Sequence, residues 1–327
     1  METLTIRKPD DWHVHLRSGA LLKAVLPFTE ERFARAIVMP NFAKPLTTTE
    51  DVQAYKKEIE QVRKKKDFTP LMTYYLTDTS DAMDITHGFK SGVATAVKYY
   101  PAKATTHAEH GVSDIQKVYP VFEAMQKIGM PLLIHGETLE IGNMPVETRD
   151  REAVFLDTLM PHILKDFPEL KVVLEHLTTK EGVQFVKAHD AKRLAATVTV
   201  HHLILSHEDV EHASHPGHLH CMPVVKSPED RAALRAAVTS GDVHFFLGTD
   251  SAPHPVSQKE SDMPPAGIFT APAALELYAG VFEEEGKLEN FEKFASLNGP
   301  AFYELPPNKE KITLKKKPWT LDALVET

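Results

Sequence analysis

The sequence predicts an α/β fold, a single (β/α)₈ barrel, on three observations. Eight short β-rich runs recur along 327 residues, most of them separated by stretches with helical spacing. Several runs are almost continuously apolar, as strands buried on both faces are. No Gly-x-Gly-x-x-Gly follows the first run, so an open dinucleotide-binding sheet loses its main signal. No Pro/Gly/Ser linker or repeat divides the chain. Residues 1–327 therefore read as one domain, with 1–10 an N-terminal extension and about 306–327 a surface tail with room for one short strand.

The predicted strands are Trp12–Leu16, Arg35–Met39, Leu71–Leu76, Thr95–Tyr99, Pro131–His135, Lys171–His176, Leu194–Val200 and His244–Gly248. A helix is predicted over Thr49–Lys65, where Val52, Tyr55, Ile59 and Val62 recur at intervals of three and four. Asp114–Ile128 and Arg149–Phe167 have the same texture, and Ser227–Ser240 opens on Ser-Pro-Glu, a helix-start signal.

Composition narrows the function. A single cysteine forms no intramolecular disulfide and excludes thiolate zinc fingers and iron–sulfur clusters. A net charge of −9 argues against nucleic acid, because phosphate contacts need clustered Lys and Arg. Lys64–Lys66 and Lys315–Lys317 read as solvated runs. No apolar run approaches the ~20 residues of a membrane span, and the N-terminus carries no signal-peptide pattern, so a cytoplasmic location is expected.

The chemistry lies at the strand ends. The first strand carries His13-x-His15-x-Arg17, and side-chain alternation sends these three the same way, inward in a barrel. His135 closes Pro131-Leu-Leu-Ile-His, His176 closes Val172-Val-Leu-Glu-His, and Asp250 follows Phe245-Phe-Leu-Gly-Thr. In a barrel all five metal-type side chains reach the C-terminal rim, where barrel enzymes build their sites. Imidazole with carboxylate suits zinc or a similar divalent ion. Lys98 ends another apolar strand, where an ammonium is costly to bury. Snorkelling or an ion pair would explain it, and so would uptake of CO₂ to form an anionic carbamate able to bridge two ions.

His13-x-His15, Lys98, His135, His176 and Asp250, in that order and on those strands, resemble the amidohydrolase superfamily. The closer resemblance is to its single-domain bacterial (class II) dihydroorotases. It is carried by Asp11-Trp-His-Val-His-Leu-Arg17, Met39-Pro-Asn41, Lys98-Tyr-Tyr-Pro-Ala-Lys-Ala-Thr-Thr106, Ile134-His-Gly-Glu137, Gly248-Thr-Asp-Ser-Ala-Pro-His254 and Asn298-Gly-Pro, over residues 3 to about 315. The resemblance implies two zinc ions bridged by N6-carboxylated Lys98 and a hydroxide, with His13, His15 and Asp250 on the more buried ion and His135 and His176 on the other. It implies that Arg17, Asn41 and His254 clamp the substrate carboxylate, that backbone groups of Met222 and Ala266 meet the ring, and that His15 and His135 border it. It implies reversible hydrolysis of (S)-dihydroorotate to N-carbamoyl-L-aspartate in pyrimidine synthesis, with Asp250 as proton shuttle, in a homodimer. Met222 stands where the family pattern has leucine, and Ser261–Gly267 departs from a cysteine-containing version.

Thr105 and Thr106, just past Lys98, read by the same resemblance as the hydroxyls of a mobile lid. The run 102–112 shows no large apolar anchor before Val112. The histidine-rich stretch 201–220 reads as a loop and short helix with solvated histidines rather than a second metal site. Cys221 has no partner base in its motif, which disfavours a catalytic thiol. Two other readings remain. A hydantoinase- or allantoinase-type hydrolase is disfavoured by Arg17 and Asn41, which suit a carboxylate-bearing ring. A metal-free dihydroorotase-like partner protein is disfavoured by the complete ligand set.

Overall fold

The computed structural model describes residues 2–322 and 324–326. Eight parallel strands follow one another around a barrel: β2 (Asp10–Val14), β3 (Arg35–Val38), β4 (Thr69–Tyr75), β5 (Ala96–Tyr99), β6 (Leu132–Ile134), β9 (Val172–Leu174), β10 (Leu194–Val198) and β11 (Phe245–Leu247). Each observed strand lies within two residues of its predicted limits at either end. Two small antiparallel pairs lie outside the barrel: β1 (Thr3–Arg7) with β12 (Lys311–Lys315), and the hairpin β7 (Glu140–Ile141) with β8 (Met144–Pro145). The N-terminal extension and the C-terminal tail are thus joined to each other, with Thr3 opposite Lys315 and Arg7 opposite Lys311.

The last strand closes on the first. Asp250 N–H donates to the His13 carbonyl (2.8 Å) and His15 N–H to the Ser251 carbonyl (3.0 Å). Buried Asp11 accepts from Thr249 N–H (2.8 Å) and Thr249 Oγ1 (2.6 Å), so its side chain stitches the seam. Burial still pushes the Asp11 carboxyl up to about 7 despite those bonds.

The barrel is filled, not hollow. Trp12, Ile37, Ala96, Leu133, Val173, Ala195 and Phe246 form its interior. The short helix Asn298–Phe302 plugs the N-terminal mouth: Tyr303 stacks on Trp12 (4.3 Å between rings), and Asn298 Nδ2 donates to the carbonyls of Asp242 and Phe245. Gly299 is required there, since any side chain would strike the Trp12 indole.

The surrounding helices follow local chemistry. Thr49–Val62 starts where Thr48 accepts from Asp51 N–H, and Pro228–Thr239 starts on a Ser227/Asp230 capping box. The predicted helix Arg149–Phe167 is two helices, Arg151–Thr158 and Met160–Asp166, divided just before Pro161, whose missing N–H cannot continue the ladder. The predicted helix over Asp114–Ile128 opens as a 3₁₀ turn, Ile115–Val118, before Tyr119–Ile128; Gly129 ends it in a left-handed cap (φ 70°). Among the described residues no helix is long and apolar enough to cross a membrane.

Candidate active site

The strand termini converge on one narrow cleft lined by His13, His15, Arg17, Asn41, Tyr100, Thr105, Thr106, His135, His176, Met222, Asp250 and Ala266. A register shift between β2 and β3, between Asp11 and Val14, separates two jobs on the first strand. Trp12 enters the barrel core while His13 and His15 both reach the rim, their rings 5.4 Å apart. Simple alternation over 13, 15 and 17 does not foresee this bulge. Three rim residues, Arg17 (φ 60°), His176 (φ 42°) and Asp250 (φ 46°), sit in the left-handed region that side chains other than glycine rarely adopt. The chain turns sharply as each strand ends, aiming these side chains back over the mouth.

Asp250 Oδ1 lies 3.2 Å from His13 Nε2 and 3.1 Å from His15 Nε2. Burial alone would raise its pKa; the adjacent imidazoles, His13 foremost, hold it well below the carboxylate range instead. Across the cleft, His135 Nδ1 and His176 Nε2 stand 3.1 Å apart. Donor atoms of His13, His176 and Asp250 all lie within 4.8 Å of one another.

Two carboxylates that the sequence reading left without a role orient these rings. Glu175 pairs with His13 Nδ1 and also accepts from Thr197 Oγ1 (2.9 Å). Glu137 lies 2.6 Å from His135 Nε2. Each glutamate holds the far nitrogen of its ring and turns His13 Nε2 and His135 Nδ1 toward the cleft, where they could ligate an ion, the arrangement of a carboxylate–histidine–metal relay. The signal was legible: Glu175 is a charge at the penultimate position of an apolar strand, and Glu137 follows His135 by two.

Lys98 is fully buried among them, its Nζ has no hydrogen-bond partner, and it lies 5.0 Å from the centre of the Tyr100 ring. Burial draws the amine down to about 8, against the pull of Glu175 and Asp250. An orphaned amine, an orphaned His176 Nδ1, and inward-facing imidazole nitrogens beside a buried carboxylate form a donor set for a divalent ion. The residues present fit a metal centre.

Beside this cluster, Arg17 Nη2 donates to His254 Nε2 (3.0 Å), and Arg17 Nε donates to the Pro253 carbonyl (2.9 Å). Burial first and Arg17 second press His254 down to about 3, so it is neutral. Asn41 Nδ2 donates to the Thr106 carbonyl (3.2 Å), and Thr106 Oγ1 accepts from Ala266 N–H (3.0 Å).

The loop after Lys98 is better anchored than its sequence suggests. Ala108 is fully buried in a cluster with Tyr75 and Tyr100, and Tyr75 Oη donates to the His107 carbonyl (3.1 Å). The side-chain anchors, Tyr75 on β4 and Tyr100 just past β5, lie outside 102–112, which is why the composition of that run concealed them.

The histidine-rich stretch also departs from expectation. His201 and His202 are buried, not solvated, while His212 and His215 are exposed. His201 and His202 lie in the short helix Val200–Ile204, just past the end of β10. Cys221 does have a basic neighbour, His202 Nε2 at 3.8 Å. That nitrogen also lies 3.0 Å from the Pro223 carbonyl, and burial pushes the thiol up to about 12, so no thiolate forms there at neutral pH.

Known proteins share this framework. Residues 10–321 match the model of the Amidohydrolase family. A dihydroorotase of Yersinia pestis is 52% identical over 97% of this chain and 90% of its own length. The crystal structure of dihydroorotase from Campylobacter jejuni superposes with a TM-score of 0.89 at 36% identity, covering 99% of this chain and 92% of that one. An L-hydantoinase of Arthrobacter aurescens shares the fold at 16% identity, with a TM-score of 0.77 over 92% of this chain and 72% of that one. Full-length identity above half, on a barrel whose rim gathers this donor set, places the chain in the amidohydrolase family, among its dihydroorotases.

Proposed function

We propose that this chain catalyses the reversible hydrolysis of (S)-dihydroorotate to N-carbamoyl-L-aspartate. One observation carries the reading: two groups suited to a carboxylate, Arg17 and Asn41, with His254 bonded to Arg17 behind them, line the same cleft as the metal-type side chains His13, His15, His135, His176 and Asp250, and Lys98 is buried beneath it. A ring bearing both an exocyclic carboxylate and a cyclic amide satisfies both halves at once.

His13, His15 and Asp250 would hold one zinc ion, His135 and His176 a second, with Lys98 between them as its carbamate. An amine drawn down to about 8 and lacking a hydrogen-bond partner gives up its proton far more readily than an exposed lysine, and its neutral fraction has the lone pair that attack on CO₂ requires. When bound, such ions supply Lewis acidity and lower the pKa of water from 15.7 to about 7. The chain's residues do the rest. The Arg17 guanidinium takes the carboxylate in a charge-assisted, two-point contact that fixes the ring. Backbone groups of Met222 and Ala266 meet the ring amides. Asp250 receives the proton of the attacking water and delivers it to the leaving ring nitrogen, base then acid. Thr105 and Thr106 close over the ring and exclude bulk water. Ala266 N–H is already bonded to Thr106, so ring binding there trades one partner for another. The assembly is a homodimer in the cytoplasm.

The test is turnover of dihydroorotate, hydantoin and allantoin by the purified, zinc-loaded protein. Dihydroorotate is the preferred substrate by kcat/KM. Equal or better turnover of hydantoin or allantoin would overturn the reading.

A further inference from the structure

We propose that Lys259 is a positioning residue whose ammonium clamps together the two loop segments that carry Met222 and Ala266. Its role in turnover rests on the dihydroorotase reading above; its role as a clamp does not.

Lys259 ends the short helix Val256–Lys259 and is only 6% exposed. Its Nζ donates to three backbone carbonyls: His220 (3.0 Å), Pro265 (2.9 Å) and Gly267 (2.6 Å). An ammonium has three N–H groups and no acceptor capacity, so its donors are fully used. His220 is two residues before Met222, and Pro265 and Gly267 flank Ala266. One side chain therefore ties the two segments expected to supply backbone contacts to the ring.

The surroundings are shaped for this. Gly267 N–H donates to the same His220 carbonyl (3.0 Å), so the segments also touch directly. A side chain at Gly217 would collide with the Lys259 carbonyl, and one at Gly267 (φ 139°) with the Ala252 carbonyl. The charged group acting on Lys259 at neutral pH is Arg17, which repels it, and none of the ion pairs among the described residues involves Lys259. A buried ammonium without a counter-ion is costly. Three charge-assisted bonds to carbonyl oxygens are what make this placement tolerable. Residues 261–263 of the linked segment are exposed, Met263 by 89%, and its other ties fall at Ala266, to Thr106 and His254, and at Gly267, to His220. Loop segments with so few buried contacts open locally unless something fastens them.

The clamp bears on the segment whose sequence departs from the cysteine-containing version of the family. There Lys259 fixes the backbone from outside the segment, and the identity of residues 261–264 matters less than the carbonyls at 265 and 267.

The experiment uses the full-length, zinc-loaded protein with Lys259→Met, which keeps the aliphatic stem and removes all three donors. The expected result is a KM for dihydroorotate raised at least tenfold, kcat changed less than threefold, and metal content unchanged. Amide hydrogen exchange should accelerate at least tenfold in 216–222 and 261–267 while the barrel strands keep their protection. Unchanged exchange in those segments, or a fall in kcat with KM unchanged, overturns the proposal. If Lys259→Met does not fold, Lys259→Gln is read by the same two measurements. A wild-type protein inactive on dihydroorotate would defeat the functional reading alone, with exchange in the variant still deciding the clamp.

Discussion

Two histidine groups in this chain look alike on paper and differ in space. His13, His15, His135 and His176 are spread over more than 160 residues, yet their rings meet within hydrogen-bonding reach of one another or of Asp250. The seven histidines of 201–220 are close in sequence and divide: His201 and His202 turn inward, where their donor atoms and the Cys221 sulfur lie within 4.8 Å of one another, and His212 and His215 face solvent. Parallel barrel strands end on one rim, so one or two side chains per strand end assemble a site, whereas a turn of helix and loop sends neighbouring side chains in different directions.

The sharpest way to break this contrast is Lys98→Ala. It should abolish both bound metal and turnover, and a short carboxylic acid in the medium should restore part of each. His218→Ala, in the scattered group, should leave metal content and kcat/KM as they were. Metal analysis beside turnover checks both variants; a Lys98→Ala protein that keeps its metal and activity would dissolve the distinction.

Asp250→Asn tests the rim more finely. The amide keeps the shape but loses the proton-accepting oxygen, and kcat should fall roughly 10²- to 10⁴-fold in both directions, the usual worth of a general acid–base group. Circular dichroism should show the fold retained. Wild-type rates would remove Asp250 as the shuttle.

The smallest expected effect concerns the loop that covers the rim. Thr105→Ala with Thr106→Ala should lower kcat/KM more than tenfold, about 1.4 kcal/mol or more, with metal content unchanged. The loop is tied at Tyr75 and Asn41, so part of its closure survives loss of the hydroxyls. Wild-type kcat/KM in the double variant would make it a surface connection only.

The barrel was legible because its strands are apolar on both faces and regularly spaced. The rim residues were legible because they terminate those strands. What stayed hidden was set by partners distant in sequence. Glu175 acquires its meaning from His13, 162 positions away, and Ala108 from Tyr75 and Tyr100. The bulge in β2 is a register property of a strand pair, which one strand's alternation cannot reveal. His201 and His202 looked solvated because the histidine-rich run continues into the polar stretch 206–220, although their own neighbours Val200, Leu203, Ile204 and Leu205 are apolar and the helix that carries them is buried at the end of β10.

The most direct measurement is anomalous diffraction at the zinc edge from crystals of the zinc-loaded protein, refined with the Lys98 side chain free to take either form. The expected map has two peaks per chain, among His13, His15, His135, His176 and Asp250, bridged by a carboxylated Lys98, with no peak at His201, His202 and Cys221. A plain Lys98 amine in an active, metal-loaded crystal, or zinc at the His201 cluster with the rim empty, would contradict it.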